Sequence, residues 1–209
     1  MVDVIPGILE KEWSVIESKI TLVAPYVSWV QIDVADNTMV PNATLLDFEK
    51  FRTCPESISL EGHLMVADPE KYIRPLVDVG FKRLIAHIES NDPRRFLDAA
   101  QYESVETGIA IDGPTDIEEA EPFLEEIDTV LVMMIEAGFS GQDLMPEILD
   151  KIKAIHRNFP DIPIEVDGGI NDATAATVIE AGATRLVSTS YLFKDPQNIG
   201  EAIARLKNA

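Results

Sequence analysis

The chain is poor in cysteine, in basic residues and in long apolar runs, and each shortage closes off a class of function. One cysteine, Cys54, among 209 residues excludes an internal disulfide and fits a reducing compartment. No apolar run approaches the roughly 20 residues that cross a membrane. The opening MVDVIPGILEKEW lacks a basic start followed by a long apolar region, so no signal peptide is visible and a cytoplasmic protein is expected. Lysine and arginine number 17 against 37 acids, a net charge of −20. That balance argues against general affinity for nucleic acid or anionic membranes, because both require a basic footprint. A small phosphorylated substrate is still admissible, since backbone N–H groups at a helix N-terminus bind phosphate even in an acidic protein. The acidic run Asp116–Asp128 reads as the solvated face of a helix.

What the chain does have is organised around IEVDGGIND, Ile164 to Asp172. Ile164 and Val166 have the β-branched character of a buried strand. Asp167 falls where that strand stops, and Gly168 and Gly169 permit positive φ and close approach to bare backbone. Asn171 or Asp172 can then cap a helix over Thr174–Ala181 that stops at Gly182. An acid at the C-terminal end of a strand, beside a glycine pair, is where parallel α/β proteins place chemistry. Taken alone, a tight turn with a capping aspartate explains the stretch equally well.

Read in order, strands are expected at Ile5–Leu9, Trp29–Val34, Ser57–Met65, Arg83–Ile88, Thr107–Ile111, Thr129–Met134, Ile162–Val166 and Arg185–Ser188. Helices are expected over Lys11–Pro25, near Leu45–Phe51, and over Pro69–Val79, Pro93–Tyr102, Ile117–Glu126, Pro146–Phe159, Thr174–Ala181 and Asn198–Lys207. These are eight strand-then-helix units of about 25 residues, with no linker between them, which implies a parallel sheet. The expected fold is α/β, one (β/α)8 TIM barrel over residues 1–209, with a doubly wound sheet as the alternative.

Active sites of such barrels lie at the C-terminal ends of the strands. The polar residues there are Gln31, Asp33, His63, His87 and Asp167. Side chains alternate along a strand, so Gln31 shares a face with Asp33, and Glu61 with His63 and Met65. An isolated histidine in a strand is most often a satisfied core residue; here acids and a histidine from three strands converge on one mouth. Strands 2 and 7 are three steps apart around the ring, so Asp33 and Asp167 would face each other. Two opposed carboxylates suit removal of a proton from one face of a carbon and its return to the other, an epimerisation. Asp33, His63 and Asp167 would equally supply mixed oxygen and nitrogen ligands to a metal that stabilises an enediolate. For phosphate, three loops qualify: GFSG (Gly138–Gly141), the Gly168–Gly169 pair, and STS (Ser188–Ser190) leading into YLF.

With those residues in place, the chain resembles the ribulose-phosphate 3-epimerase family nearly end to end. The likeness runs through PGIL (Pro6–Leu9), WVQIDVADNTMVPN (Trp29–Asn42), GHLMVADPEKYI (Gly62–Ile73), AHIES (Ala86–Ser90), VLVMMIEAGFSGQ (Val130–Gln142) and IEVDGGIN (Ile164–Asn171). The resemblance implies interconversion of D-ribulose 5-phosphate and D-xylulose 5-phosphate through a cis-enediolate, in a homo-oligomer. It implies Asp33 and Asp167 as the acid/base pair. It also implies a divalent metal (Zn, Mn, Fe or Mg) held at Asp33, His63 and Asp167, with Gln31 at the fourth ligand position. Substrate and phosphate contacts would fall at Gly7, Met65, Gly138, Phe139, Ser140, Gly141, Gly168, Gly169, Thr189 and Ser190.

The departures from the family pattern are specific. Gln31 stands where the family has a metal-binding histidine, and an amide oxygen favours a harder ion than imidazole does, or none. Gly7 replaces the serine of PSIL, Ala35 and Asn37 replace the Met and Gly of MDG, Glu136–Ala137 replaces Asn-Pro, and Thr189 replaces a glycine. Three functions therefore follow in order: a 3-epimerase of a ketose phosphate, a related phosphosugar isomerase or lyase, and a non-catalytic sugar-phosphate binder.

Overall fold

Valine, isoleucine and leucine dominate the strands because a closed parallel barrel buries both of their faces. The computed structural model describes residues 2–134 and 148–209. Eight parallel strands close into a barrel in chain order: β1 (Asp3–Ile8), β2 (Trp29–Ala35), β3 (Ser59–Met65), β4 (Arg83–His87), β5 (Glu106–Ile111), β6 (Thr129–Met133), β7 (Ile164–Asp167) and β8 (Arg185–Ser188), with β8 returning to β1. The chain is a (β/α)8 TIM barrel, as the alternation of elements implies.

Alternation along each strand splits the core in two. Val30, Ile32 and Val34 of β2 join Leu60, Leu64, Val130, Val132 and Val166 in a cluster that also holds the buried helix residues. Ile5, Ala35, Met65, Ile85, Leu131 and Met133 form a second cluster inside the barrel. Between those inward apolar residues stand Gln31, Asp33, Glu61, His63, Arg83, His87 and Glu165, all buried. Each aliphatic side chain fully buried contributes about 1.5–3 kcal/mol, so the outer cluster carries the fold while the barrel interior tolerates polar chemistry.

The helices seat their apolar stripes on that outer face. In α1 (Trp13–Val23) the buried residues are Ile16, Ile20 and Val23, one face at helical spacing. After α2 (Glu70–Val77) comes α3 (Pro93–Tyr102), which starts on Asp92, whose side chain accepts the Arg95 N–H, with Pro93 in its first turn. Helix α4 (Ile148–Asn158) buries Ile148, Ile152 and Ile155; its expected start at Pro146 lies outside the described residues. Then follow α5 (Ala175–Ala181), a four-residue α6 (Ser190–Phe193) directly after β8, and α7 (Ile199–Lys207).

Two expected helices are not α-helical. Ile117–Glu126 forms two 3-10 turns, Ile117–Glu119 and Glu121–Phe123. Pro122 has no N–H and disfavours α geometry at Glu121, and the acids Glu118, Glu119, Glu121, Glu125 and Glu126 repel one another along the segment. The segment near Leu45–Phe51 is instead a 3-10 helix over Phe48–Thr53. Its first amides are committed elsewhere, since Thr44 N–H donates to the Ala35 carbonyl (2.9 Å) and Leu45 N–H to the Glu10 carbonyl (3.0 Å).

Gly182 ends α5 with φ 124°, and a Cβ added there would lie 2.6 Å from the Cβ of His156 on α4. Gly182→Ala is expected to cost about 1–3 kcal/mol through backbone strain and overpacking. A urea unfolding curve would show a lower midpoint at unchanged slope; a wild-type midpoint would contradict this account of the α4–α5 contact.

Candidate active site

Register, more than any single motif, assembles the mouth of the barrel. Asp33 pairs with His63 across β2 and β3, Ala35 with Met65, and Met133 with Asp167 across β6 and β7. Because β8 and β1 close the ring between β7 and β2, Asp33 and Asp167 approach from two sides. One nitrogen links them. Gln31 Nε2 donates to Asp33 Oδ1 and to Asp167 Oδ2, both at 2.8 Å, one hydrogen to each acid. Gln31 Oε1 is buried and has no hydrogen-bond partner among the described residues.

His63 completes the group. Its Nδ1 lies 3.0 Å from Asp33 Oδ1 and 3.8 Å from Asp167 Oδ2, and its Nε2 lies 2.8 Å from His87 Nε2. Burial disfavours charge at all three residues. It pushes Asp33 up to about 7, against the opposing Gln31 hydrogen bond and the charge of His87. Burial, then the neighbouring Asp33, lifts Asp167 to about 6. Burial, reinforced by His87, draws His63 down to about 3. Two carboxyls therefore exchange protons near neutrality beside an imidazole that stays neutral.

Donor atoms of Asp33, His63 and Asp167 lie within 4.8 Å of one another, and two carboxylates with one imidazole are a donor set for a divalent cation. Gln31, expected at the fourth ligand position, turns its Nε2 and not its oxygen toward both acids, so the fit rests on the other three. These residues fit a metal.

The walls carry the remaining expected residues. Met65 is buried among the inward apolar residues, beside Ala35 and Met133. Gly168 and Gly169 have φ 106° and 67°, the left-handed backbone for which the glycine pair was read. Asn171 Oδ1 accepts the Ala173 N–H (2.8 Å), whereas Asp172 accepts from the Tyr191 hydroxyl, so Asn171 rather than Asp172 organises the turn into α5. Thr189 and Ser190 open α6. Gly138, Phe139, Ser140 and Gly141, with Glu136 and Ala137, lie outside the described residues. Asn37 has φ 67°, which explains how asparagine takes a glycine's place there. Asp36 beside it accepts the Thr38 N–H (3.0 Å) and the Tyr72 hydroxyl (2.6 Å), which pins the loop after β2.

Two departures turn out to be one. A Cβ added at Gly7 would lie 2.5 Å from Thr189 Oγ1 and 3.0 Å from Val187 Cγ1. The Thr189 side chain occupies the space a side chain at position 7 would need.

Sequence reasoning placed His87 at the mouth without a role and passed over Glu89. The structure gives both a place: His87 Nδ1 faces Glu89 Oε2 at 3.2 Å, and Glu89 Oε1 accepts the Asp112 N–H at 2.9 Å. β4 ends at His87, and the turn after it, closed by Ser90 N–H donating to the His87 carbonyl (3.1 Å), folds Glu89 back onto the ring.

Comparison with known proteins agrees with this geometry. A model of the ribulose-phosphate 3 epimerase family matches residues 3–193. Ribulose-phosphate 3-epimerase of Schizosaccharomyces pombe is 31% identical over 210 residues, covering 98% of this chain and 92% of that protein. The Bacillus subtilis protein of the same name is 33% identical, covering 92% and 93%. Among solved structures, a 3-hexulose-6-phosphate synthase superposes with TM-score 0.75 at 16% identity, over 99% and 98% of the two chains. A mutant tryptophan synthase alpha-subunit from Pyrococcus furiosus does so with TM-score 0.79 at 12% identity, over the full length of both. The two structures share the fold.

Two predictions follow from the mouth. Folded-state pKa values above the unfolded ones mean that Asp33 and Asp167 favour the fold fully below about pH 4, an effect lost as pH rises through about 6 and about 7. In chelator, Asp33→Asn is therefore expected to melt above wild type at pH 8, by about 2–4 °C for each kcal/mol relieved, with the gap closing at pH 4. A lower melting temperature at pH 8 would refute the burial argument. Second, Gly7→Ser alone is expected to cost about 1–3 kcal/mol, and Thr189→Gly to restore it in the double variant. Additive effects would mean that the two positions do not touch.

Proposed function

The chain belongs to the ribulose-phosphate 3-epimerase family, and on that premise we propose that it inverts C3 of a ketose phosphate, interconverting D-ribulose 5-phosphate and D-xylulose 5-phosphate through a cis-enediolate. Family membership makes it an isomerase-class enzyme acting on carbohydrates. The observation that carries the reading is the acid pair: two carboxyls reached from different strands, joined by one amide, holding protons near pH 7 and pH 6.

Inversion needs a base on one side of C3 and an acid on the other. A carboxyl whose pKa sits near the working pH serves in either role, because it is populated in both forms. With one of Asp33 and Asp167 ionised and the other protonated, the first takes the C3 proton and the second delivers its own to the opposite face. The pair then carries the reverse protonation, which is the state the reverse reaction requires. Gln31 donates to both carboxyls, so it holds their spacing whichever one is charged.

A divalent ion would be held by Asp33, His63 and Asp167 and would supply positive charge to the enediolate oxygens. Met65, Ala35 and Met133 line the wall beside the acids with apolar surface, which limits water at the reacting carbon. The phosphate end is assigned to the Gly168–Gly169 turn and to Thr189–Ser190, together with Gly138–Gly141. One observation favours a second reading, a related phosphosugar as substrate: Thr189 fills the space beside Gly7, so a sugar bound there would meet a hydroxyl from a different strand end.

Deuterium uptake at C3 of D-ribulose 5-phosphate in D₂O, with Mn²⁺ added, tests the proposal. Wild type is expected to exchange, and Asp167→Asn to lose about 10²–10⁴-fold. Absence of exchange in folded wild-type protein would sink the ribulose-phosphate reading, and uptake into another ketose phosphate would establish the second.

A further inference from the structure

The loop after β2, Asp36–Ala43, bends back over the mouth of the barrel. Its base is closed by backbone groups: Asp36 and Ala43 form an antiparallel bridge, the Ala35 N–H donates to Thr44 Oγ1 (3.0 Å), and the Thr44 N–H donates to the Ala35 carbonyl (2.9 Å). Its tip carries Met39 and Val40. Val40 is buried in the cluster inside the barrel with Ala35, Met65 and Met133, and half-buried Met39 packs against the same cluster. Because the loop leaves the C-terminal end of β2, these side chains reach the barrel interior only through the mouth. Ala35 and Met65 pair with each other two positions beyond the Asp33–His63 pair, so Met39 and Val40 roof the layer next to the acids.

The tip is not wedged between neighbours on every side. It borders a recess of about 410 Å³ whose other walls are Ala67, Glu89, Asn91 and Asp112. Open space meets the loop there, and hydrogen bonds that gather on one carboxylate hold it. Asp36 Oδ1 accepts the Thr38 N–H (3.0 Å) and the Thr38 hydroxyl (2.5 Å). Asp36 Oδ2 accepts the hydroxyl of Tyr72 on α2 (2.6 Å). Thr38 Oγ1 in turn accepts the Ala67 N–H (2.9 Å), just past the end of β3. Tyr72 is itself seated edge-on against Phe48, with ring centroids 6.1 Å apart. Burial opposes charge at Asp36, yet the hydrogen bonds from Thr38 and Tyr72 hold its carboxyl below the ordinary carboxylate range, which keeps it an acceptor. The residues just before the tip are thus tied to α2 and to the exit of β3, both parts of the barrel wall.

We propose that Asp36, Thr38 and Tyr72 are positioning residues for the epimerisation: they latch Met39 and Val40 in place as an apolar roof that keeps water from the acid pair while the C3 proton is exchanged. They act through Met39 and Val40 and not on the sugar directly. The role in catalysis rests on the epimerase reading above; the latch and the roof rest on the geometry of the loop.

Two measurements on the full chain separate the roof from the reaction. Methyl NMR with a soluble paramagnetic agent reads the roof without any substrate, since Val40, Met65 and Met133 are buried and their methyls are sheltered. Tyr72→Phe removes one oxygen and keeps the ring, and Thr38→Val removes the hydroxyl at nearly constant volume. Each is expected to broaden the Val40 and Met65 methyls when the agent is added. Each is also expected to lower kcat on D-ribulose 5-phosphate, with Mn²⁺ present, by about 10–100-fold. KM is expected to change far less, because the phosphate end is assigned to other loops. Thr38→Ser keeps the hydroxyl and is expected to match wild type in both measurements; if Tyr72→Phe does not fold, Thr38→Val against Thr38→Ser carries the comparison. Methyls as sheltered in the folded variants as in wild type would overturn the latch. Exposed methyls with an unchanged kcat, or a loss confined to KM, would overturn the roof's part in the reaction. Wild type that turns over no ketose phosphate would sink the epimerase reading, and with it the catalytic role, while the methyl measurement would still decide the latch.

Discussion

A closed parallel barrel has an inside, and the two-residue period of its strands decides what occupies it. Every second side chain of β2, β3, β4 and β7 points into that space, where there is no bulk water to solvate a charge. In this chain the inward positions are occupied by Gln31, Asp33, Glu61, His63, Arg83, His87, Glu165 and Asp167. Such a set is stable only if its members satisfy one another. They do so in two tiers, and only in part: neither Glu165 oxygen has a hydrogen-bond partner among the described residues, with Arg83 3.8 Å away. Deeper in the barrel, Arg83 donates to Glu61 (2.6 Å), meets Glu106 (2.8 Å) and lies 4.0 Å over the Trp29 ring. One step nearer the mouth on each strand, the Gln31 amide and the two histidines serve the aspartates. The lower tier is the floor on which the upper one stands: Glu61 and His63, like Glu165 and Asp167, are two positions apart on one strand.

The barrel was legible because its signal is local. Apolar strands, capping residues and glycine stops each announce themselves within a few positions, and the positive φ of Gly168 and Gly169 follows from residue type alone. Both aspartates were legible as acids inside short apolar strands, Asp33 near the end of β2 and Asp167 at the end of β7. The two misread helices failed locally too, one through Pro122 and crowded acids, the other through amides committed to Ala35 and Glu10.

What stayed hidden depends on register between distant strands. Nothing in the composition of WVQIDV indicates that the Gln31 amide reaches Asp167, 136 positions away. Gly7 and Thr189 looked like two independent departures until the closure of β1 on β8 put one side chain in the other's space. His87 had no role in the linear chain because its partner His63 becomes a neighbour only when β3 and β4 are aligned. The buried floor was invisible as well, since Glu61 and Glu165 look like surface residues in the linear chain.

At Gln31 an amide stands where an imidazole would, and the two differ in kind. A neutral imidazole has a single N–H and can serve one carboxyl; the amide nitrogen has two and serves both. An imidazole near two acids would also titrate with them, so its charge would follow their protonation. The amide has no such equilibrium. It lowers the cost of ionising either acid by a similar hydrogen bond, 2.8 Å to each, and does not prefer one protonation state of the pair over the other. A reaction that must run through C3 in both directions needs an acid pair in which either member can be the charged one. A fixed, neutral, two-handed donor between the carboxyls is consistent with that requirement whether or not a cation later joins them.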